Sequence, residues 1–262
     1  MKRWSEIVEA AHEVRALAEF YDAGRFALGL SGSASKGTAD DLSDVDFRCY
    51  SDNPRPALPD GWNARWESLA GRWRDRGLVL DGLGWTTVSA VDAAIDSWLS
   101  GAVVPDDIIW TIWGYHPLTD YHRQIAVIDD HGLIEGWRGR LEPYPRQMGQ
   151  AIIVRHLRVL RYWRGDYHYR NKVRRADEVF LAGLTSLLIH HVLQVLCAVN
   201  GVYYPGDGNN LALARQLPVA PDELDLRIRQ ALAPPSGERR LHVQREIVVA
   251  LIDDVERVVA TI

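Results

Sequence analysis

Two carboxylates lie two residues apart in Asp44-Val45-Asp46, at the start of an apolar segment that is predicted to be a strand over residues 44–50. Because side chains alternate along a strand, Asp44 and Asp46 point to one face and Val45 points to the other. Two neighbouring carboxylates repel each other unless a cation lies between them, and Mg²⁺ binds one or two carboxylates together with phosphate oxygens. We therefore predict that Asp44 and Asp46 are catalytic and hold Mg²⁺.

A glycine-serine loop precedes this pair of acids. The apolar run that ends at Leu30 is followed by Gly32, Ser33 and, three residues later, Lys36. Backbone N–H groups after a strand can cradle a phosphate, and Gly32 lets the backbone approach it because glycine has no Cβ. Ser33 adds a hydroxyl donor. Lys36 is expected either to reach a triphosphate or to be an exposed loop lysine.

The joint spacing is more specific than either part alone. Gly-Ser, three residues, Gly37, five residues and then Ser43-Asp-x-Asp, with apolar segments on both sides, resembles the polymerase-β-like nucleotidyltransferase superfamily. This superfamily includes the bacterial aminoglycoside and lincosamide nucleotidyltransferases. The resemblance implies that Gly32, Ser33, Lys36 and Ser43 bind a nucleoside triphosphate, with ATP as the expected nucleotide.

The resemblance also implies a reaction. A nucleoside monophosphate would pass from the triphosphate, with Mg²⁺, to a hydroxyl of an unknown acceptor. The expected acceptor is a small molecule, for which an antibiotic is the analogy, or a protein. Fold-level analogy does not establish the acceptor, because one fold serves many substrates.

A third carboxylate usually completes the site in the resembled superfamily, as a metal ligand or as the base. The segment Leu83–Thr87, where the next strand is expected, contains no acid. Asp81 is the nearest candidate and is included among the catalytic residues, although Asp81-Gly82 is also typical of the turn of a hairpin over residues 78–88. Asp177 or Glu178 is an alternative base, but a helix N-terminus explains both acids without catalysis.

Because the segment Leu83–Thr87 contains no acid, two further hypotheses about function stay open. The first is a catalytically impaired nucleotide-binding module that lacks the third carboxylate. The second is a toxin–antitoxin component that modifies RNA or a protein. The net charge of −5 argues against a nucleic-acid partner.

The elements that must position these residues divide the chain in two. The pattern predicts an α/β nucleotidyltransferase domain over residues 1–140, with a mixed sheet and flanking helices, followed by an all-α helical bundle over residues 141–262. A long apolar helix over residues 176–199 is expected at the centre of the bundle. It contains His190 and His191, which we expect to be buried and hydrogen-bonded, because no third or fourth metal ligand is evident.

A cluster of aromatic and polar residues ends the preceding helix: Trp163, Asp166, Tyr167, His168 and Tyr169. It could hold a cationic acceptor through its ring faces, or it could serve packing between helices. The basic stretch 170–175 is expected to be a solvated loop.

Composition agrees with a globular protein, since 47% of the residues are hydrophobic and 25% are charged. Cys49 and Cys197 are expected to be reduced core thiols of a cytoplasmic protein. No segment is expected to reach membrane-spanning length, so no membrane partner is predicted.

Overall fold

The computed structural model describes residues 3–18, 24–53, 58–105, 117–206 and 210–261. These residues form two compact units. The sheet unit comprises the described residues between Met1 and Ser97 and between Pro117 and Pro143, and the helical unit comprises those between Trp98 and His116 and between Tyr144 and Ile262. The sequence places the boundary at residues 140–141 and does not group the residues after Ser97 with the helices.

The sheet unit combines strands and helices. Its elements in chain order are α1 (Trp4–Ala18), β1 (Phe26–Leu30), α2 (Gly32–Lys36), β2 (Val45–Ser51), α3 (Trp62–Asp75), β3 (Leu80–Thr87), α4 (Val88–Leu99), α5 (Pro117–Arg123), β4 (Ile125–Ile128) and α6 (Leu133–Leu141).

The strands of the described residues form one mixed sheet in the order β3-β2-β1-β4. β1 pairs antiparallel with both β2 and β4, whereas β2 and β3 are parallel. Every residue of β1 is buried, as expected for a central strand with apolar residues on both faces. The predicted mixed sheet with flanking helices is thus confirmed.

The side chains of β2 alternate between two environments. Val45, Phe47 and Cys49 are fully buried in an apolar core that also contains residues of α1 and α3. Asp46 and Arg48 lie on the opposite face and are half-buried. The strand period of two therefore separates the apolar face that holds the sheet unit together from a face that carries charged groups.

Residues 78–88 do not form the predicted hairpin. β3 is one strand, and α4 begins directly after it at Val88. Val45 pairs with Leu80 and Phe47 pairs with Leu83, so three steps along β3 match two steps along β2. The Asp81-Gly82 dipeptide marks this bulge instead of a turn, because pairing with the distant strand β2 outweighs the local turn preference.

The helical unit contains most of the second half of the chain and also the last two residues of α4. Its principal helices are α7 (Arg146–Gly165), α8 (Tyr167–Arg174), α9 (Glu178–Val199), α10 (Asn210–Gln216), α11 (Leu224–Leu232) and α12 (Arg240–Ala260). The prediction of a loop at residues 170–175 is wrong, since α8 covers most of this stretch. Asp166 caps this helix and accepts a hydrogen bond from the backbone N–H of His168 at 2.6 Å.

The α9 helix corrects another expectation. Its 22 residues are long and apolar enough to cross a membrane, although the sequence analysis expected no such segment. About two thirds of its most apolar window, 67%, is buried inside the protein. Neighbouring helices therefore cover the apolar side chains of α9, which is the central helix of the helical core.

Candidate active site

The loop between β1 and α2 is attached to β2 next to Asp46. The backbone N–H of Ser31 donates a hydrogen bond of 2.9 Å to the carbonyl oxygen of Asp46. Gly32 has a φ of +60°, and a Cβ at this position would lie 1.9 Å from Oδ2 of Asp46. Gly32 is thus required by its backbone conformation and by the approach of the Asp46 carboxylate, a reason that the sequence analysis did not foresee.

The α2 helix carries Ser33 and Lys36 as well as Gly32, so the residues predicted as a loop form a short helix. The Oγ atom of Ser33 is buried and makes no hydrogen bond to any described residue. Lys36 is not the exposed loop lysine of the alternative interpretation, because only 13% of its side chain is exposed. Its Nζ lies 3.8 Å from Oδ1 of Asp120, a buried acid on α5. A contact of Ser33 or Lys36 with a nucleotide stays a prediction.

Asp81 lies next to Asp46 in the sheet. β2 and β3 are parallel and Val45 pairs with Leu80, so the residues that follow these two, Asp46 and Asp81, lie at the same end of the sheet. Leu80 is buried in the apolar core and Asp81 is exposed. The charge of Asp81 raises the pKa of the Asp46 carboxyl, so the two carboxylates lie near each other. The segment Leu83–Thr87 lacks an acid, but β3 begins earlier and contains Asp81 near its start.

The charges of Asp44 and Asp81 act on Asp46, and these three residues are called the carboxylate cluster. Burial raises the pKa of the Asp46 carboxyl, the Arg48 guanidinium lowers it, and the charges of Asp44 and Asp81 raise it further. Asp44 and Asp81 are exposed. The cluster therefore combines one half-buried carboxylate with two that solvent can reach.

Arg48 is a residue of the site that the sequence analysis did not identify. Its Nη2 lies 3.2 Å from Oδ1 of Asp46, two positions earlier on the same face of β2. Gly84 leaves space for it, since a Cβ there would lie 3.1 Å from Cδ of Arg48. The alternation that places Asp44 and Asp46 on one face extends to Arg48 and would have found it.

Ser43 has partners inside its own loop. Its hydroxyl donates to Oδ1 of Asp40 at 2.9 Å and accepts from the backbone N–H of Asp40 at 3.0 Å. The backbone N–H of Leu42 also donates to Oδ1 of Asp40. These bonds close the turn that leads into β2, so Ser43 has a structural role before Asp44, and its predicted nucleotide contact stays a prediction.

The residues present fit a hard divalent cation. Three carboxylates and one guanidinium leave the cluster with excess negative charge, and their mutual repulsion contributes to the raised pKa of Asp46. Carboxylate oxygens are the ligands that Mg²⁺ prefers. The donor set alone does not favour a softer transition metal, since neither histidine nor cysteine belongs to it.

A separate cavity of about 460 Å³ lies between α1 and the residues that follow Ser33. Arg3, Trp4 and Ile7 line one side of it, and the stretch from Ala34 to Asp41 lines the other. None of the three carboxylates lines this cavity, so the carboxylate cluster is the stronger candidate for chemistry.

The acids proposed as an alternative base have partners within the helical unit. Asp177 caps α9, where its Oδ1 accepts from the N–H of Phe180 at 3.4 Å and its Oδ2 lies 2.6 Å from Nζ of Lys172. Glu178 forms an ion pair with Arg240 of α12. These contacts account for both acids as parts of the helical unit.

Packing accounts for part of the aromatic cluster. Tyr169 is fully buried, and Trp163 contacts its ring edge-to-face at a centroid distance of 6.5 Å. Trp163 makes a similar contact with Phe180 of α9. Tyr167 and His168 are exposed, with ring centroids 4.0 Å apart. Only these exposed rings are left for the predicted acceptor contact.

Residues 110–208 match a family described as a domain of unknown function, DUF4037. A search of curated proteins finds no match. Among solved structures, the chain is similar to a nucleotidyltransferase-like protein from Exiguobacterium sibiricum 255-15, with a TM-score of 0.49 and 10% identity over 96% of this chain and 77% of that chain. The residues of the carboxylate cluster, rather than this similarity, carry the proposal that follows.

Proposed function

We propose that the sheet unit catalyses Mg²⁺-dependent transfer of a nucleoside monophosphate from a nucleoside triphosphate, with ATP as the expected nucleotide, to a hydroxyl group of a small molecule or a protein. The observation that carries this proposal is the position of Asp81, which lies at the same end of the sheet as Asp46 and close enough for its charge to raise the pKa of that carboxyl. A third carboxylate beside the Asp-x-Asp pair supports transfer and weakens the case for an impaired nucleotide-binding module.

Each residue has a distinct role in the proposed reaction. Asp44 and Asp46 would hold Mg²⁺, which when bound offsets the charge of the triphosphate oxygens. Gly32 and Ser33 at the start of α2 would position the phosphates through backbone N–H groups and the Ser33 hydroxyl. Arg48 holds the Asp46 carboxylate in place through the contact at Oδ1.

Asp81 would act as the general base. The acceptor hydroxyl oxygen attacks the α-phosphorus and forms a new P–O bond, while the bond to the β-phosphate breaks and pyrophosphate leaves. The hydroxyl proton passes to the Asp81 carboxylate. Asp81 suits this role because it is exposed and lies beside Asp46.

Calorimetry with ATP, GTP, CTP and UTP, with and without Mg²⁺, tests binding first. A pyrophosphate-release assay over a panel of hydroxyl-bearing acceptors, including aminoglycosides and lincosamides, then tests transfer. We expect Asp46→Asn to abolish Mg²⁺-dependent binding. Asp81→Asn should keep binding and lose turnover by about 10²–10⁴-fold, the usual contribution of a general base.

The matched control is Asp75→Asn, which removes an exposed carboxylate at the end of α3, outside the cluster. It should match the wild type in both assays. Absence of nucleotide binding by the wild type would contradict the proposal. Mg²⁺-dependent binding without pyrophosphate release for any acceptor would support the impaired binding module instead.

A further inference from the structure

Three histidines meet in the core of the helical unit. His190 and His191 are consecutive on α9, and His156 comes from α7, 35 residues before His191. His156, His190 and His191 are 0%, 4% and 5% exposed, respectively. The sequence alone shows no third ligand beside His190 and His191, and the packing of α7 against α9 brings His156 next to them.

The arrangement has the dimensions of a three-imidazole metal site. One ring nitrogen from each histidine can be chosen so that all three lie within 4.8 Å of one another. The ring centroids are 4.9 Å apart for His156 and His191, 5.4 Å for His190 and His191, and 5.8 Å for His156 and His190. Zn–N bonds of about 2.0–2.1 Å with tetrahedral angles place ring centroids about 5 Å apart.

A hydrogen bond between His156 and His191 is the competing explanation for the close approach of these rings. The Nδ1 atoms of His156 and His191 are 2.6 Å apart, which suits an N–H···N hydrogen bond in which one ring donates and the other accepts. A bound metal would hold these nitrogens about 3.3 Å apart, which requires a small rotation of the two rings. A metal would also bind His190, which has a ring nitrogen within 4.8 Å of ligand nitrogens on the other two histidines.

The donor chemistry selects the kind of metal. The group contains only imidazoles, and imidazole suits zinc and neighbouring transition metals rather than Mg²⁺ or Ca²⁺. Gln194 follows His190 by one turn on the same face of α9, and it is 3% exposed. Its amide nitrogen makes no hydrogen bond to a described residue, and its carbonyl oxygen is the candidate fourth ligand.

We propose that His156, His190 and His191 bind one Zn²⁺ ion that links α7 to α9. The site is closed off from solvent, because all three histidines are buried in the helical unit. A closed site of this kind stabilises the fold rather than catalysing a reaction. The proposal is independent of the function assigned to the sheet unit.

The test measures metal in tag-free full-length protein. Metal analysis should find about one zinc ion per chain, and the chelated protein should recover it on titration with Zn²⁺. Co²⁺ should replace zinc and give the visible absorption of a tetrahedral nitrogen-rich site. Loss of a second-shell partner weakens zinc binding about 10–100-fold, so His156→Ala and His190→Ala should each weaken it by at least about 100-fold.

Two variants serve as controls. His242→Ala removes an exposed histidine on α12, and Asp44→Ala disrupts the carboxylate cluster. Both should keep wild-type zinc affinity. The Co²⁺ spectrum of the wild type decides the question even where a histidine variant fails to fold. A wild type that binds neither metal, or zinc that persists in both histidine variants and is lost in Asp44→Ala, would overturn the proposal.

Discussion

Asp46 is the residue on which the other parts of the candidate active site converge. The Ser31 N–H binds its carbonyl oxygen, Gly32 leaves room for its Oδ2, and the Arg48 guanidinium contacts its Oδ1. Its pKa rises mainly through burial, with added contributions from Asp44 and Asp81. The position of one carboxylate therefore depends on several neighbours, and small changes in the loop are expected to alter cation binding.

A pair of glycines allows this dependence to be measured. Gly32 and Gly37 both have positive φ angles, of +60° and +70°, so alanine at either position costs about 1–2 kcal/mol in backbone strain. Only at Gly32 would the added Cβ also meet Asp46, whereas nothing lies within 4 Å at Gly37. We expect both variants to lower the unfolding midpoint, and only Gly32→Ala to reduce Mg²⁺-dependent nucleotide affinity in calorimetry. Equal affinities in the two variants would show that the Gly32–Asp46 contact has no role in binding.

The elements differ in how well the sequence predicts them. β1, α2 and β2 are consecutive elements of the chain. The spacing of Gly32, Ser33 and the Asp-x-Asp pair is therefore enough to predict how these residues are arranged. β3 is wrongly predicted because Asp81-Gly82 favours a turn locally, while the partner strand β2 is about 30 residues away in the chain. His156 could not be connected to His190 and His191, because only the packing of α7 against α9 brings them together.

The ion pair between α2 and α5 also escapes sequence analysis and leads to a stability prediction. Lys36 and Asp120 are 13% and 4% exposed, so Lys36→Met would leave the acid buried without this cation. Removing one partner of a buried pair costs about 3–5 kcal/mol. We expect urea unfolding to show a loss of unfolding free energy near the lower end of this range, because Nζ of Lys36 and Oδ1 of Asp120 are 3.8 Å apart.

Two variants control this measurement. The double variant Lys36→Met/Asp120→Leu should recover much of the stability, because neither charge is then buried. Arg3→Met removes a pair with Asp41, whose side chain is 92% exposed, and should cost less than about 1 kcal/mol. A Lys36→Met variant as stable as Arg3→Met would contradict the assigned importance of the buried pair.

In the part of the chain that the structure describes, each unit contains a hydrophobic core and a candidate ligand site. The carboxylate cluster of the sheet unit offers oxygen ligands, and the histidine cluster of the helical unit offers nitrogen ligands. Mg²⁺ prefers the first set and Zn²⁺ prefers the second. The two ligands are therefore expected to act on different parts of the chain.

Hydrogen–deuterium exchange of the full-length protein tests this division. A ligand at a concentration of 100 times its dissociation constant stabilises the state that binds it by about 2.7 kcal/mol. Amide exchange slows wherever the local opening that permits it also requires the ligand to dissociate. We expect Mg²⁺ with ATP to slow exchange in peptides covering β1, α2 and β2, and Zn²⁺ to slow exchange in peptides covering α7 and α9. In Asp46→Asn only the first effect should disappear, and in His156→Ala only the second. Protection of β1 and β2 by Zn²⁺ in the wild type would mean that zinc binds the carboxylates, and the separate assignment of the two sites would then be wrong.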